Sequence, residues 1–114
     1  MTVHNAQEKI VKQVASWDGV VAVPHRFGGT EFRFGRRELG HIHRDYQADI
    51  PFPIEIRNQL IAEGKAEPHQ ILPESGWITF RFRKSEGVEA AVKLFKMSYE
   101  LAAASQRKNS RFTL

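Results

Sequence analysis

Apolar residues recur at Ile10, Val14 and Trp17, with Val11 widening the stripe, and this spacing predicts a first helix. Asn5 and Glu8 stand at capping-box spacing before it, and Gly19 is placed to end it. The period then changes from helical to two. Val20-Val21-Ala22-Val23 is a continuous apolar run, expected as a strand buried on both faces, with Pro24 ending it or lying on an edge. In Thr30–Phe34, Phe32 and Phe34 share one face while Glu31 and Arg33 share the other. Gly35-Arg36-Arg37 marks a turn. Glu38–Arg44 follows as a strand with Leu39, His41 and His43 on one side and Gly40 and Ile42 on the other. Asp45-Tyr46 is a turn signal, since an Asp side chain bonds its own downstream backbone, and Ala48, Ile50 and Phe52 alternate along a fourth strand.

Pro53 suits the first position of a second helix, whose face is Ile56, Leu60 and Ile61 and whose stop is Gly64. Residues 65–76 read as a loop, punctuated by Pro68, Pro73 and Gly76. Trp77–Arg83 is a fifth strand, with Ile78, Phe80 and Phe82 inward and Trp77, Thr79, Arg81 and Arg83 outward. Ser85 can cap a third helix with Val88, Ala91, Val92, Phe95, Tyr99 and Ala102 on its face. The order is α-β-β-β-β-α-β-α. Short turns between consecutive strands imply an antiparallel meander, so the fold class is α+β, two-layer, with about five strands and three helices. Residues 1–105 form a single domain, and residues 106–114, with Arg107, Lys108 and Arg111, form a basic flexible tail.

The length of 114 residues allows one domain with a real core and no second one. Cysteine is absent, which excludes disulfides, thiolate nucleophiles and every cysteine-bearing metal site. No apolar run approaches the ~20 residues of a membrane span. The opening Met1-Thr2-Val3-His4-Asn5 lacks the regions of a signal peptide, so a soluble cytoplasmic domain is expected, with no membrane partner. The net charge of +4 is mildly basic.

The densest polar constellation is Gly40-His41-Ile42-His43-Arg44-Asp45. Residues i and i+2 of a strand point the same way, so both imidazoles leave one face, and His69 in Glu67-Pro68-His69 can close on it. Glu38 and Asp49 are nearby carboxylates. Three readings stay open. His41, His43 and His69 could bind a metal, since three imidazoles leave an open position. They could form a metal-free acid/base set in a small-molecule pocket, since imidazole changes charge near neutral pH. They could be structural. The spacing Gly35-x5-His41-x-His43 approaches a cupin motif, but Gln47 and Ala48 stand where its glutamate belongs. A separate feature is the set Arg33, Arg81 and Arg83 beside Trp77, which suits single-stranded nucleic acid or, more blandly, a solvated face with charge pairs. His4 and His25 read as surface residues, and an exposed sheet edge admits a homodimer.

Four stretches taken together carry a resemblance: Arg37-Glu38-Leu39-Gly40-His41-Ile42-His43-Arg44-Asp45, Asp49-Ile50-Pro51-Phe52-Pro53, Gly64-Lys65-Ala66-Glu67-Pro68-His69 and Ser75-Gly76-Trp77-Ile78. In this order they resemble the luciferase-domain family, and Leu94-Phe95-Lys96-Met97-Ser98-Tyr99-Glu100 resembles its C-terminal helix. The family includes the luciferase of bioluminescent fungi and many small bacterial proteins. The fungal enzyme oxygenates a hydroxylated pyrone without a known metal. The resemblance implies His41, His43 and His69 as candidate bases and Trp77 as a ring-stacking wall. The leading expectation is a small-molecule domain for an aromatic or enol-like ligand. His41, His43 and His69 would be its acid/base groups and Glu38, Arg44, Asp45 and Trp77 its ligand-binding surroundings. No metal or other cofactor is assigned. The alternative is a non-catalytic module that engages nucleic acid or a protein through the Arg/Trp face.

Overall fold

The computed structural model describes residues 3–112, with side chains described through residue 108. The first helix, α1 (Ala6–Val14), buries Ala6, Ile10 and Val14. Its capping departs from the sequence reading. Asn5 sits at φ 57° and its side chain caps nothing. The Asp45 carboxylate instead accepts the Gln7 backbone N–H at 2.8 Å, and the Asp45 carbonyl accepts that of Val3 at 3.0 Å. The orphan donors of the helix start are thus satisfied from a distant turn, where a carboxylate also complements the helix dipole. Trp17 lies past the end of α1 and packs at 5.4 Å from the ring of Tyr99.

Four strands follow as a meander: β1 (Val20–His25), β2 (Gly29–Phe34), β3 (Arg37–His43) and β4 (Gln47–Pro51). After α2 (Ile54–Ala62) come β5 (Glu67–Pro68) and β6 (Trp77–Arg81). All pairings are antiparallel, in the order β1-β2-β3-β4-β6-β5. The fold is the expected α+β class with one strand more than expected: two residues of the anticipated loop pair with β6. β1 is an edge strand, not one buried on both faces, and Val21 is 57% exposed. That placement explains how Pro24 sits inside β1, because an edge has a free side for a residue without N–H.

One face of the sheet carries Phe32, Ile42, Ala48, Ile50 and Ile78, all buried. Helices α1 and α3 (Glu86–Phe112) contact each other and the sheet. Phe95 of α3 meets Phe32 edge-on at 5.0 Å, and the buried Ser98 hydroxyl donates to the Leu39 carbonyl at 2.9 Å. α3 continues past residue 105 to Phe112; Thr113 and Leu114 lie outside the described residues. Among the described residues, no helix is long and apolar enough to cross a membrane.

Simple alternation fails at one place in β3. Phe32 pairs with Gly40 and Arg33 with Glu38, so Leu39 is an extra residue without a partner. This β-bulge turns Leu39 into the core, where it is fully buried, instead of beside His41. Gly40 permits it. Its φ is +139°, and a Cβ there would come within 2.8 Å of the Asp49 carbonyl oxygen and of Phe95.

Candidate functional site

The face of the sheet away from α1 and α3 is polar. In register across it run Glu31, His41, Asp49, Thr79 and Glu67, one from each of β2, β3, β4, β6 and β5. Directly opposed residues of antiparallel strands share a face, so the ladder itself collects these groups. The bulge adds Glu38. In a regular strand it would point away from His41, three residues on; with Leu39 looped out, Glu38 Oε2 lies 2.7 Å from His41 Nδ1.

Asp49 is the hub. Its side chain is 3% exposed, and Oδ1 accepts the Thr79 hydroxyl at 2.7 Å and the Gln47 amide at 3.2 Å. Oδ2 faces the Nε2 atoms of three imidazoles: His43 at 2.7 Å, His41 at 3.4 Å and His69 at 3.7 Å. The three expected histidines therefore meet at one carboxylate oxygen. His25 joins them. Its ring stacks on His41 with centroids 4.1 Å apart, and its Nδ1 lies 3.3 Å from Glu31 Oε1. The Trp77 ring stands 5.5 Å from that of His41 and 6.1 Å from that of His69, and Tyr46 stacks beside His43 at 6.3 Å.

Hydrogen bonds fix the proton positions. His41 has a carboxylate oxygen near each nitrogen, Glu38 Oε2 at 2.7 Å from Nδ1 and Asp49 Oδ2 at 3.4 Å from Nε2, an arrangement that favours the imidazolium. Burial works against that charge, but the bonds to Asp49 and Glu38 outweigh it and raise the His41 pKa to about 9. Burial likewise works against the Asp49 charge, and the bonds from His41, Thr79 and His43 overcome it and hold this carboxyl well below the usual range. Glu31 is also lowered: burial opposes, while Arg33 and His25 prevail. At His69, Nδ1 accepts the backbone N–H groups of Ile71 and Leu72, each at 3.2 Å, so the ring proton sits on Nε2 and points at Asp49. His43 donates from Nε2, and its Nδ1 has no hydrogen-bond partner among the described residues. That nitrogen is also not among the buried unpaired atoms, so it reaches solvent.

Two expected ligand-binding residues are elsewhere. Asp45 caps α1. Arg44, at φ 50°, donates from Nε to the Phe27 carbonyl at 2.7 Å and packs over Gly28, holding the β1–β2 connection. Glu38 and Trp77 are at the cluster as expected. The residues that sequence reading underrated are Asp49 and His25. A signal existed for Asp49: Ala48 and Ile50 face the core, so the residue between them faces the histidines. For His25 the signal is weaker, a lone imidazole two positions beyond Val23 on a strand edge.

The cluster lies on the sheet face away from α1 and α3, with the side chains of His41 and His69 13% and 15% exposed and that of His43 26% exposed. A cavity of about 450 Å³ adjoins the ladder at Glu67 and Thr79, between β5, β6 and the start of α3, and one of about 320 Å³ lies between Gly35 and the far part of α3; no cluster histidine lines either. The basic set is largely paired: Arg33 with Glu31, Arg81 at 3.3 Å and Arg83 at 3.1 Å with Glu67. Ligand atoms of His41, His43 and Asp49 all lie within 4.8 Å of one another, a spacing that a metal ion could bridge.

The family model described as Luciferase domain matches residues 36–98, a span that includes Glu38, His41, His43, Asp49, His69 and Trp77 and stops short of His25. No curated protein and no solved structure matches the chain. The match covers more than half of the sequence and contains the hub carboxylate with all three imidazoles that face it, so the chain belongs to the luciferase-domain family.

Proposed function

We propose that the open sheet face binds a small aromatic or enol-like molecule and that the histidine cluster governs the protonation of its acidic hydroxyl. The observation that carries this reading is the meeting of three imidazole Nε2 atoms at the single buried oxygen Asp49 Oδ2, with His43 Nδ1 left free. A carboxylate that holds one ring nitrogen as a donor leaves the other as a lone pair, which is the arrangement of an oriented general base. His43 then takes the proton. The His41 imidazolium stands beside the anion that forms, and Trp77 offers a ring face. The roles of the two neighbouring histidines thus differ: one accepts, the other supplies charge. The family's fungal luciferase acts on a hydroxylated pyrone, a compound of this class.

The test uses metal-free protein and 4-nitrophenol, whose anion absorbs visible light. Saturable binding with a shift of the bound probe toward its anion is expected, together with quenching of tryptophan fluorescence. His43→Ala should abolish the spectral shift while leaving the circular dichroism spectrum unchanged, because the His43 side chain is 26% exposed and packs outside the core. A probe that binds wild type and His43→Ala with the same spectrum, or binds neither, would contradict the proposal.

A further inference from the structure

We infer that His41 Nε2, His43 Nε2 and Asp49 Oδ2 form a binding site for one divalent first-row transition-metal ion. The inference rests on the reading of this cluster as the working site and adds a ligand to it. Two imidazoles and one carboxylate on adjacent strands β3 and β4 offer a facial N2O donor set. That set suits iron(II), zinc(II) and their neighbours, whereas magnesium and calcium prefer all-oxygen shells. The remaining positions would face the open side of the sheet, toward the place assigned to the small molecule.

The surroundings fit this assignment atom by atom. A metal-bound imidazole keeps its one proton on the other nitrogen and needs an acceptor or water there. His41 Nδ1 has Glu38 Oε2 at 2.7 Å, a carboxylate–histidine–metal relay already in place. His43 Nδ1 reaches solvent. Asp49 Oδ1 is oriented by the Thr79 hydroxyl at 2.7 Å and the Gln47 amide at 3.2 Å, so Oδ2 is turned toward the histidines, with the Gln47 amide also 3.4 Å from it. The same tautomer requirement excludes His69, the third imidazole of the open metal reading, as a ligand. His69 Nδ1 already accepts two backbone N–H groups, so ligation through Nε2 would force a proton onto a nitrogen at which two donors point. His69 stays beside the site without ligating.

The binding is chemically an exchange, since the ion replaces the protons that His41 and His43 now direct at Asp49. Proton chemistry and metal occupancy are therefore alternative states of the two histidines.

Untagged, chelator-treated protein is titrated with cobalt(II), followed by visible absorption and calorimetry. One equivalent should bind, and paramagnetic shifts should appear on the His41 and His43 ring protons. His43→Ala should weaken binding by at least ~100-fold, and Glu38→Gln by about 10-fold, the scale of losing an outer-shell partner. His69→Ala should stay within about threefold of wild type, since it removes no ligand. The wild-type paramagnetic shifts need no variant and stand even if one fails to fold. Absence of saturable binding, a stoichiometry above one, or a loss in His69→Ala equal to that in His43→Ala would overturn the assignment. Cobalt binding without 4-nitrophenol binding by the metal-free protein would leave the metal site standing and remove the acid/base reading; the reverse pair of results would do the opposite.

Discussion

Asp49→Asn is expected to cost about 3 kcal/mol of folding stability, the lower end of the range for breaking a buried charge pair. The reason is geometric. Oδ2 accepts from His43 and faces two further imidazole N–H groups, and an amide NH2 in its place would set a donor against donors. Thr79 keeps an acceptor in the amide oxygen, so Thr79→Val should cost less, about 1–2 kcal/mol. The effect has a pH signature. The Asp49 carboxyl is depressed in the fold, so its stabilisation is present above its ordinary pKa near 3.8 and lost as pH falls through the folded value. The His41 ring is raised from 6.5 to about 9, so its stabilisation is complete below pH 6.5 and lost as pH rises through 9. Thermal melts of metal-free wild type should therefore peak between about pH 4 and 6.5 and decline on both sides. Asp49→Asn should flatten both arms, the acid arm most. A variant as stable as wild type across this range would show that the carboxylate is not the hub.

Gly40→Ala is the second large effect, with an expected loss of about 3 kcal/mol or more, from left-handed backbone strain and overpacking together. The added Cβ would meet the Asp49 carbonyl oxygen and Phe95 Cε1, each at 2.8 Å, and Ile50 Cγ1 at 3.2 Å. The oxygen belongs to a strand and cannot rotate away. Relief would require β3 to move from β4, or the bulge at Leu39 to be expelled. Either movement separates Glu38 from His41. Urea unfolding should thus give a lower midpoint at unchanged slope, and 4-nitrophenol binding should fall with it. Gly35→Ala is the control: the same left-handed requirement holds at φ +61°, but nothing stands within 4 Å of the new Cβ, so only the strain of about 1 kcal/mol should be lost.

The elements that were legible in the sequence are those where one period runs unbroken. Phe32 and Phe34 in β2, Ile78 and Phe80 in β6, and the 3.6-residue stripe of α3 each announce their own face. His-x-His was legible for the same reason, because two side chains two residues apart in a strand agree in direction. What the sequence hides is long-range satisfaction of polar groups. Asn5 and Glu8 have the spacing of a local cap, yet the cap comes from Asp45, thirty-eight positions from Gln7. Asp45 and Arg44 adjoin His43 in the chain but bond to α1 and to the β1–β2 connection. His25 and Glu31 enter through cross-strand register, which no local period encodes. The bulge is hidden for a further reason: Leu39-Gly40 reads as ordinary alternation, and only the fit of Phe95 against Gly40 shows why one residue is looped out.

The central claim is a distribution of protons over three imidazoles around Asp49. Long-range nitrogen–proton correlation spectra of nitrogen-labelled, metal-free protein at pH 7 read that distribution ring by ring. The account requires His41 protonated on both nitrogens, and His69 and the neutral form of His43 protonated on Nε2 alone. A neutral His41, or a His43 that carries its proton on Nδ1, would contradict it.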